Sequence, residues 1–170
     1  MARVASWVEK IDRMLVRWMA SHGVALLRLS LGLVFLWFGA IKFVPGLSPA
    51  AELATGTISE LTGGFVTPNV SLPLLAAWEC LIGLGLMTGR WLRFTLLLLF
   101  LQMPGTLAPL LLSPESTFTQ APFGPTLEGQ YIVKNFVLIS AGIVVGATVR
   151  GGHLTASPER SGKRGRMKLA

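Results

Sequence analysis

The sequence predicts an all-α membrane protein, in which a four-transmembrane-helix bundle follows an N-terminal amphipathic interfacial helix. Of its 170 residues, 52% are hydrophobic, and the mean hydropathy is +0.62. This composition is too apolar for an ordinary soluble domain. Four apolar segments are each close to the roughly 20 residues that a helix needs to cross about 30 Å of hydrocarbon. The spans and their connections use nearly the whole chain, so we expect one compact unit.

The uneven distribution of basic residues predicts how the four spans are oriented. Lys and Arg lie before the first apolar segment, at the turn containing Arg90 and Arg93, and after the last segment. The connections 46–69 and 113–129 contain Glu but no Lys or Arg. Because cytoplasmic loops carry an excess of Lys and Arg, we expect both termini and the turn at 88–93 in the cytoplasm.

Residues 1–22 are predicted to form the amphipathic helix. Apolar residues, including Trp7 and Trp18, recur there at helical spacing, and basic residues occupy the other faces. This pattern is typical of a helix in the cytoplasmic interface of a membrane, and the alternative is a helix that docks on a partner protein. We expect no cleaved signal peptide, because the first apolar stretch is of full spanning length.

The transmembrane domain is predicted over residues 23–150. Its spans are expected at about 24–45, 71–88, 92–112 and 129–149. Glycines recur in these spans at the spacing that allows close helix packing, namely Gly32, Gly39, Gly85, Gly89, Gly142 and Gly146. The tail, 151–170, is polar and basic, and we expect it to be disordered and cytoplasmic.

Four ionisable residues fall inside the spans or at their margins: Arg28, Lys42, Glu79 and Lys134. Each costs about 2.5–3.5 kcal/mol at a helix centre on insertion scales, so each is expected to face the bundle and to be paired. The predicted topology places Arg28 near the inner end, where an anchoring role is favoured over a ligand role. It places the other three at one level in the outer half.

Polar amides and a helix-breaking pair are predicted at the same level. Gln102 and Asn135 are the amides, and Pro104 with Gly105 interrupts the third span. Irregular backbone at this depth is found where it is buried or lines a wet cavity. We therefore predict an outward-facing polar pocket, shaped by Pro104 and Gly105 and lined by Lys42, Glu79, Gln102, Lys134 and Asn135.

Two interpretations of this group stay open. A Lys–Glu pair can simply hold two helices in register, and Lys42 is close enough to the interface to extend its ammonium into it. Alternatively, two lysines and one carboxylate leave an excess positive charge that suits an anionic or quinone-like ligand. No metal site is expected, because Cys80 is the single cysteine and His22 and His153 lack ligand spacing.

The arrangement of these residues resembles the DoxX family of small four-helix membrane proteins. The motifs are Arg28-x3-Gly32-x2-Phe35-x3-Gly39-x2-Lys42, Glu79-x3-Gly83-x-Gly85, Gly89-Arg90 and Lys134-Asn135. The Pro-Gly pair of the third span and Tyr131-x2-Lys134-Asn135 are most similar to the YkgB-type branch, which is linked to reactive-chlorine resistance. The resemblance covers about residues 24–150.

The resemblance implies a multi-pass protein of the bacterial inner membrane, linked to quinone-dependent redox chemistry or oxidative-stress defence. It also implies that Arg28, Lys42 and Glu79 are recurring polar positions. We expect no intrinsic cofactor and a quinone as the bound ligand. The expected partners are the lipid bilayer and redox proteins. No nucleic-acid partner is expected, since lipid contact and retention in the cytoplasm explain the net charge of +7. The alternatives are a non-enzymatic scaffold for cytosolic partners, and a proton or small-solute permease, which would need an oligomer to enclose a pathway.

Overall fold

Four helices long and apolar enough to cross a membrane confirm the predicted bundle. The computed structural model describes residues 2–155, with side chains described from residue 7 onward. The spans are Trp7–Ile41, Pro68–Thr88, Leu92–Leu112 and Leu127–Ala147. The helices are α1 (Ala2–Ile41), α2 (Ala51–Leu61), α3 (Pro68–Thr88), α4 (Leu92–Leu107), α5 (Pro109–Leu112), α6 (Pro114–Thr117), α7 (Leu127–Val133) and α8 (Asn135–Ala147). The predicted disordered tail falls mainly on residues 156–170, outside the described range.

The predicted amphipathic helix and the first span form one continuous helix, α1, without a boundary near residue 22. A single glycine, Gly23, costs about 1 kcal/mol inside a helix, and α1 continues through it. At 1.5 Å per residue, the 40 residues of α1 measure about 60 Å, twice the hydrocarbon thickness. Its N-terminal half therefore extends beyond the bundle, with Trp7 69% and Trp18 52% exposed.

Three further details differ from the predicted boundaries. The connection 46–69 contains a helix, α2, which packs against α3. The connection before the fourth span contains a short antiparallel hairpin, β1 (Phe118–Gln120) with β2 (Gly124–Pro125). The fourth span is divided at Lys134, where α7 ends and α8 begins.

The apolar core lies where α1, α3, α4 and α8 meet. Its buried side chains are Leu31, Phe35, Ile82, Leu86, Leu96, Leu99, Met103, Ala141 and Val145. Large apolar residues also cover the outside of the same helices, for example Trp37, Leu81 and Ile143 at 59–63% exposure. Helices that are apolar on both the inner and the outer face are typical of membrane spans.

The helices α1 and α3 form the most extensive contact, and glycines allow it. A Cβ atom on Gly83 would lie 2.5 Å from Leu36 N, and one on Gly32 would lie 3.0 Å from Gly83 O. Neither glycine could carry a side chain without separating the two helices. The structure therefore confirms close helix packing at Gly32, as the sequence predicted.

The bundle has one end rich in arginine, which we call the basic end. It contains the turn between α3 and α4, with Arg90 and Arg93, and the C-terminus of α8, followed by Arg150. The connections at the opposite end contain α2 and the hairpin. The segment that follows α1 begins with Lys42 and belongs to that opposite end.

Candidate functional site

A buried ion pair joins α1 to α3 near the end opposite the basic end. Lys42 Nζ donates a hydrogen bond to Glu79 Oε2 over 2.6 Å, and the two side chains are only 7% and 10% exposed. Lys42 Nζ also donates to the Phe38 carbonyl oxygen over 3.1 Å. The pair confirms that these two predicted site residues come together inside the bundle.

Gly39 explains why the two side chains reach each other. A Cβ on Gly39 would lie 2.9 Å from Glu79 Cβ and 3.0 Å from the Ala76 carbonyl oxygen. The missing side chain lets α1 approach α3 at this level. Lys42 follows three residues later, on the same side of the chain, and its long side chain therefore meets the Glu79 carboxylate directly.

Gln102 brings a third helix, α4, into the network. Its Nε2 donates to Glu79 Oε1 over 3.0 Å, so both oxygens of the carboxylate accept a hydrogen bond. An ionised carboxylate can only accept, and this fixes the orientation of the amide with Nε2 toward Glu79. The opposite atom, Gln102 Oε1, is buried and has no hydrogen-bond partner among the residues that the structure describes.

The network is therefore electrically neutral but incompletely bonded. A buried acceptor without a partner costs about 1–3 kcal/mol, so a ligand hydroxyl that donates to Gln102 Oε1 recovers this free energy. The Lys42 ammonium has three N–H donors, and the two bonds described above use two of them. Among the described residues, one acceptor, Gln102 Oε1, and one N–H of Lys42 therefore remain without a partner.

Lys134 and Asn135 do not join this network. Lys134 is exposed, and its Nζ lies 4.9 Å from the centre of the Tyr131 ring, which is a cation–π contact. Among the described residues, no hydrogen bond or ion pair links either side chain to Glu79. The predicted pocket thus receives its polar groups from three helices, because the α7–α8 junction turns Lys134 outward.

Pro104 and Gly105 also lie away from the network. Both are exposed on α4, and a Cβ on Gly105 would meet nothing within 4 Å. The helix continues past Pro104 to Leu107, and the Pro104 carbonyl accepts from Ala108 N over 3.0 Å. The proline removes one backbone donor, but it faces away from the polar site that it was predicted to shape.

Arg28 lies at the basic end, as its predicted depth requires. Its guanidinium packs against Gly89, the left-handed residue that ends α3 with φ 70°. A cation is favourable at a helix C-terminus because the last carbonyl groups carry partial negative charge. Gly89 is ten residues from Glu79 and so about 15 Å along α3. Arg28 therefore stabilises the α3 terminus and does not contact the polar network.

Two neighbours of Glu79 on α3 were not predicted as part of the site. Trp78 Nε1 donates to the Leu98 carbonyl over 3.1 Å and so ties α3 to α4. The signal was available, because a buried indole N–H normally finds an acceptor. Cys80 Sγ lies 3.9 Å from the Leu36 carbonyl oxygen and contacts α1. These contacts hold Glu79 between α1 and α4.

Within the described range, no group of three His, Cys, Asp or Glu side chains is placed to hold a metal ion. Comparison with family models, with curated proteins and with solved structures finds no match to this chain. The function proposed below therefore depends on the geometry of the site and on the resemblance in the motifs.

Proposed function

We propose that this protein is a DoxX-like, redox-linked membrane subunit that binds a quinol or quinone beside Lys42, Glu79 and Gln102. The observation that carries the proposal is the buried Gln102 Oε1, which has no hydrogen-bond partner in the described part of the chain. It lies on the same side chain that donates to the Glu79 carboxylate. A site whose polar groups are satisfied only in the presence of a donor suits a ligand that carries a hydroxyl group.

A quinone ring matches the two remaining bonding positions. A quinol hydroxyl donates to Gln102 Oε1, and a ring oxygen accepts from the third N–H of Lys42. Glu79 is placed to exchange a proton with the ligand through Lys42, since its carboxylate accepts a hydrogen bond from the Lys42 ammonium. By resemblance, the electrons pass to a partner redox protein, and this chain contributes the binding site and the path of the proton.

The proposal includes a location and an orientation. We place the chain in a bacterial inner membrane with both termini in the cytoplasm, because Lys and Arg are concentrated at the basic end. The polar network then lies in the half of the bilayer that faces away from the cytoplasm. A quinol oxidised there releases its two protons on the outer side as its two electrons pass to the partner redox protein, and a quinone reduced there takes up two protons from that side.

Glu79→Gln tests the proposal through the orientation of the Gln102 amide. In Glu79→Gln, the oxygen of the new amide accepts from Lys42, so the new Nε2 faces Gln102. Gln102 can accept from this Nε2 only if its own amide rotates and presents Oε1 to residue 79. The Gln102 NH₂ group is then left toward the ligand. We expect a folded protein that binds ubiquinol-1 about tenfold more weakly, the equivalent of losing one hydrogen bond of about 1.4 kcal/mol. Quenching of tryptophan fluorescence in purified protein measures the binding.

Gln130→Leu is the matched control, because Gln130 is exposed on α7 and, among the described residues, forms no side-chain hydrogen bond to Lys42, Glu79 or Gln102. We expect it to leave ubiquinol-1 binding unchanged. Unchanged binding by a folded Glu79→Gln protein would refute the quinol site. The circular dichroism spectrum and the unfolding midpoint of each variant show whether it is folded.

A membrane scaffold is the second candidate, and one observation favours it. The protein itself satisfies both oxygens of Glu79, and the ion pair joins α1 and α3, the most extensive helix contact. Glu79→Gln breaks the buried ion pair in either case and so lowers stability for both candidates; for a scaffold, we expect the wild type to bind no ubiquinol-1. Mass spectrometry of protein purified gently from its own membranes separates the candidates, since it detects a stoichiometric quinone or a reproducible protein partner.

A further inference from the structure

A groove between α4 and α8 opens at the basic end of the bundle, whereas the polar network lies near the opposite end. It has a volume of about 450 Å³ and is lined by Arg93, Leu96, Leu97, Phe100, Gly146, Val149 and Arg150. Cavities of 300–1,000 Å³ are the size that small-molecule sites have. Five of the seven lining residues are apolar or lack a side chain, and the two charged residues are both arginines.

The arginines lie at the depth of lipid headgroups. Arg93 is the second residue of α4, and Arg150 follows the end of α8 by three residues. Among the described residues, neither guanidinium forms an ion pair, because the ion pairs found there involve Arg13 and Lys42. The chain that follows carries Arg160, Lys163, Arg164, Arg166 and Lys168 with a single acidic residue, Glu159. The arginines therefore favour an anion from outside the protein.

The apolar part of the groove continues from the arginines toward the middle of the bundle. From Arg93 to Phe100, α4 advances by seven residues, or about 10 Å. Gly146 lines the groove on α8, where a Cβ would lie 3.5 Å from Leu96 Cδ1, an ordinary contact, and its lack of a side chain leaves that wall open. The lining thus offers two guanidinium groups at the basic end and an apolar wall along Leu97 and Phe100.

We propose that this groove binds one molecule of an anionic phospholipid. Guanidinium groups recognise phosphate oxygens with paired hydrogen bonds, and basic pockets between membrane helices bind phosphate headgroups. A neutral quinone ring would leave both arginines without a counter-charge. A water-soluble anion would leave the apolar walls exposed, so an amphiphile fits both halves of the groove.

The test is a titration of the full chain in detergent with phosphatidylglycerol, followed by native mass spectrometry. We expect one saturable phosphatidylglycerol molecule per chain and no such component for phosphatidylcholine. Arg93→Gln and Arg150→Gln should each weaken phosphatidylglycerol binding about fivefold, and the double substitution about 25-fold, from the attraction that one basic residue provides near a membrane surface. Both residues are exposed, so these substitutions should leave the fold intact.

Arg90→Gln is the matched control. Arg90 is exposed in the turn between α3 and α4 and does not line the groove. Its replacement by Gln removes one positive charge, as the two groove substitutions do. We expect it to change phosphatidylglycerol binding by less than twofold. Gly146→Leu should weaken binding of phosphatidylglycerol without changing the charge, because a leucine side chain fills the apolar part of the groove.

Three results would overturn the proposal. Equal binding of phosphatidylcholine and phosphatidylglycerol would show that the arginines select no headgroup. An equal loss in Arg90→Gln would show attraction to the basic end in general. Complete competition by millimolar inorganic phosphate would show a site for a free anion rather than for a lipid.

Discussion

Gly83→Ala is the substitution whose effect can be worked out most directly from the structure. The glycine lies on α3 where the helix meets Leu36 of α1. An added Cβ would lie 2.5 Å from Leu36 N and 2.7 Å from both its Cα and its Cβ. Two of these three atoms belong to the backbone, so no change of rotamer relieves the contact. The whole of α1 must move away from α3.

The size of the effect follows from these distances. Ordinary contacts of a Cβ lie at 3.4–4 Å, so the helices must separate by about 1 Å at this point. Overpacking of a well-packed contact costs about 1–3 kcal/mol, and we expect the upper value because backbone atoms collide. The gain in helix propensity from Gly to Ala offsets about 1 kcal/mol. The expected net loss in the free energy of unfolding is therefore about 2 kcal/mol.

Unfolding of the purified protein in mixed micelles with increasing sodium dodecyl sulfate, followed by circular dichroism, measures this loss. Gly105→Ala is the matched control, since a Cβ there meets nothing within 4 Å and the residue lies inside α4. The control should keep or raise stability by up to about 1 kcal/mol. A Gly83→Ala protein as stable as Gly105→Ala would refute the close contact between α1 and α3.

Two further predictions concern the ion pair and the orientation of the chain. Lys42→Met should lower the free energy of unfolding by about 3 kcal/mol, because it leaves the Glu79 carboxylate buried and unpaired. Adding Glu79→Gln should restore at least about 2 kcal/mol in the same unfolding assay. A double variant as unstable as Lys42→Met would contradict the pairing. A cysteine at Glu60, in a chain without the native cysteine, should react with a membrane-impermeant maleimide on intact cells, whereas one at Arg90 should react only after permeabilisation. The reverse labelling pattern would show that the predicted orientation is wrong.

The four spans could be predicted because their signals are local in the sequence. Apolar length sets whether a segment can cross the membrane. The structure shows the second, third and fourth spans within a few residues of the predicted limits, whereas the helix of the first span begins at Trp7, well before the predicted residue 24. The helix α2 lacks such signals. It has 11 residues, and no side chain caps its N-terminus. Packing against α3 therefore stabilises a segment that its own sequence does not mark as helical.

The polar site was predicted in part because topology determines the depth of a residue but not its direction. Lys42, Glu79 and Gln102 were expected at one level, and they form one network. Lys134 was expected at the same level, yet its side chain points outward. Each residue rotates by about 100° around a helix, so a small change in how a helix packs moves a side chain from the core to the surface. Only the packed structure contains that information.

The balance of charge in the network also bears on the choice between a structural and a ligand-binding role. Replacing a buried ion pair with well-packed apolar residues is often neutral or stabilising, so joining α1 to α3 does not by itself require Lys42 and Glu79. The glycines at this interface already bring the two helices into contact. The Glu79 carboxylate also orients the Gln102 amide, whose Oε1 has no hydrogen-bond partner among the described residues. A quinol that binds wild type and binds Glu79→Gln about tenfold more weakly would therefore favour a ligand-binding role for the charged pair over a purely structural one.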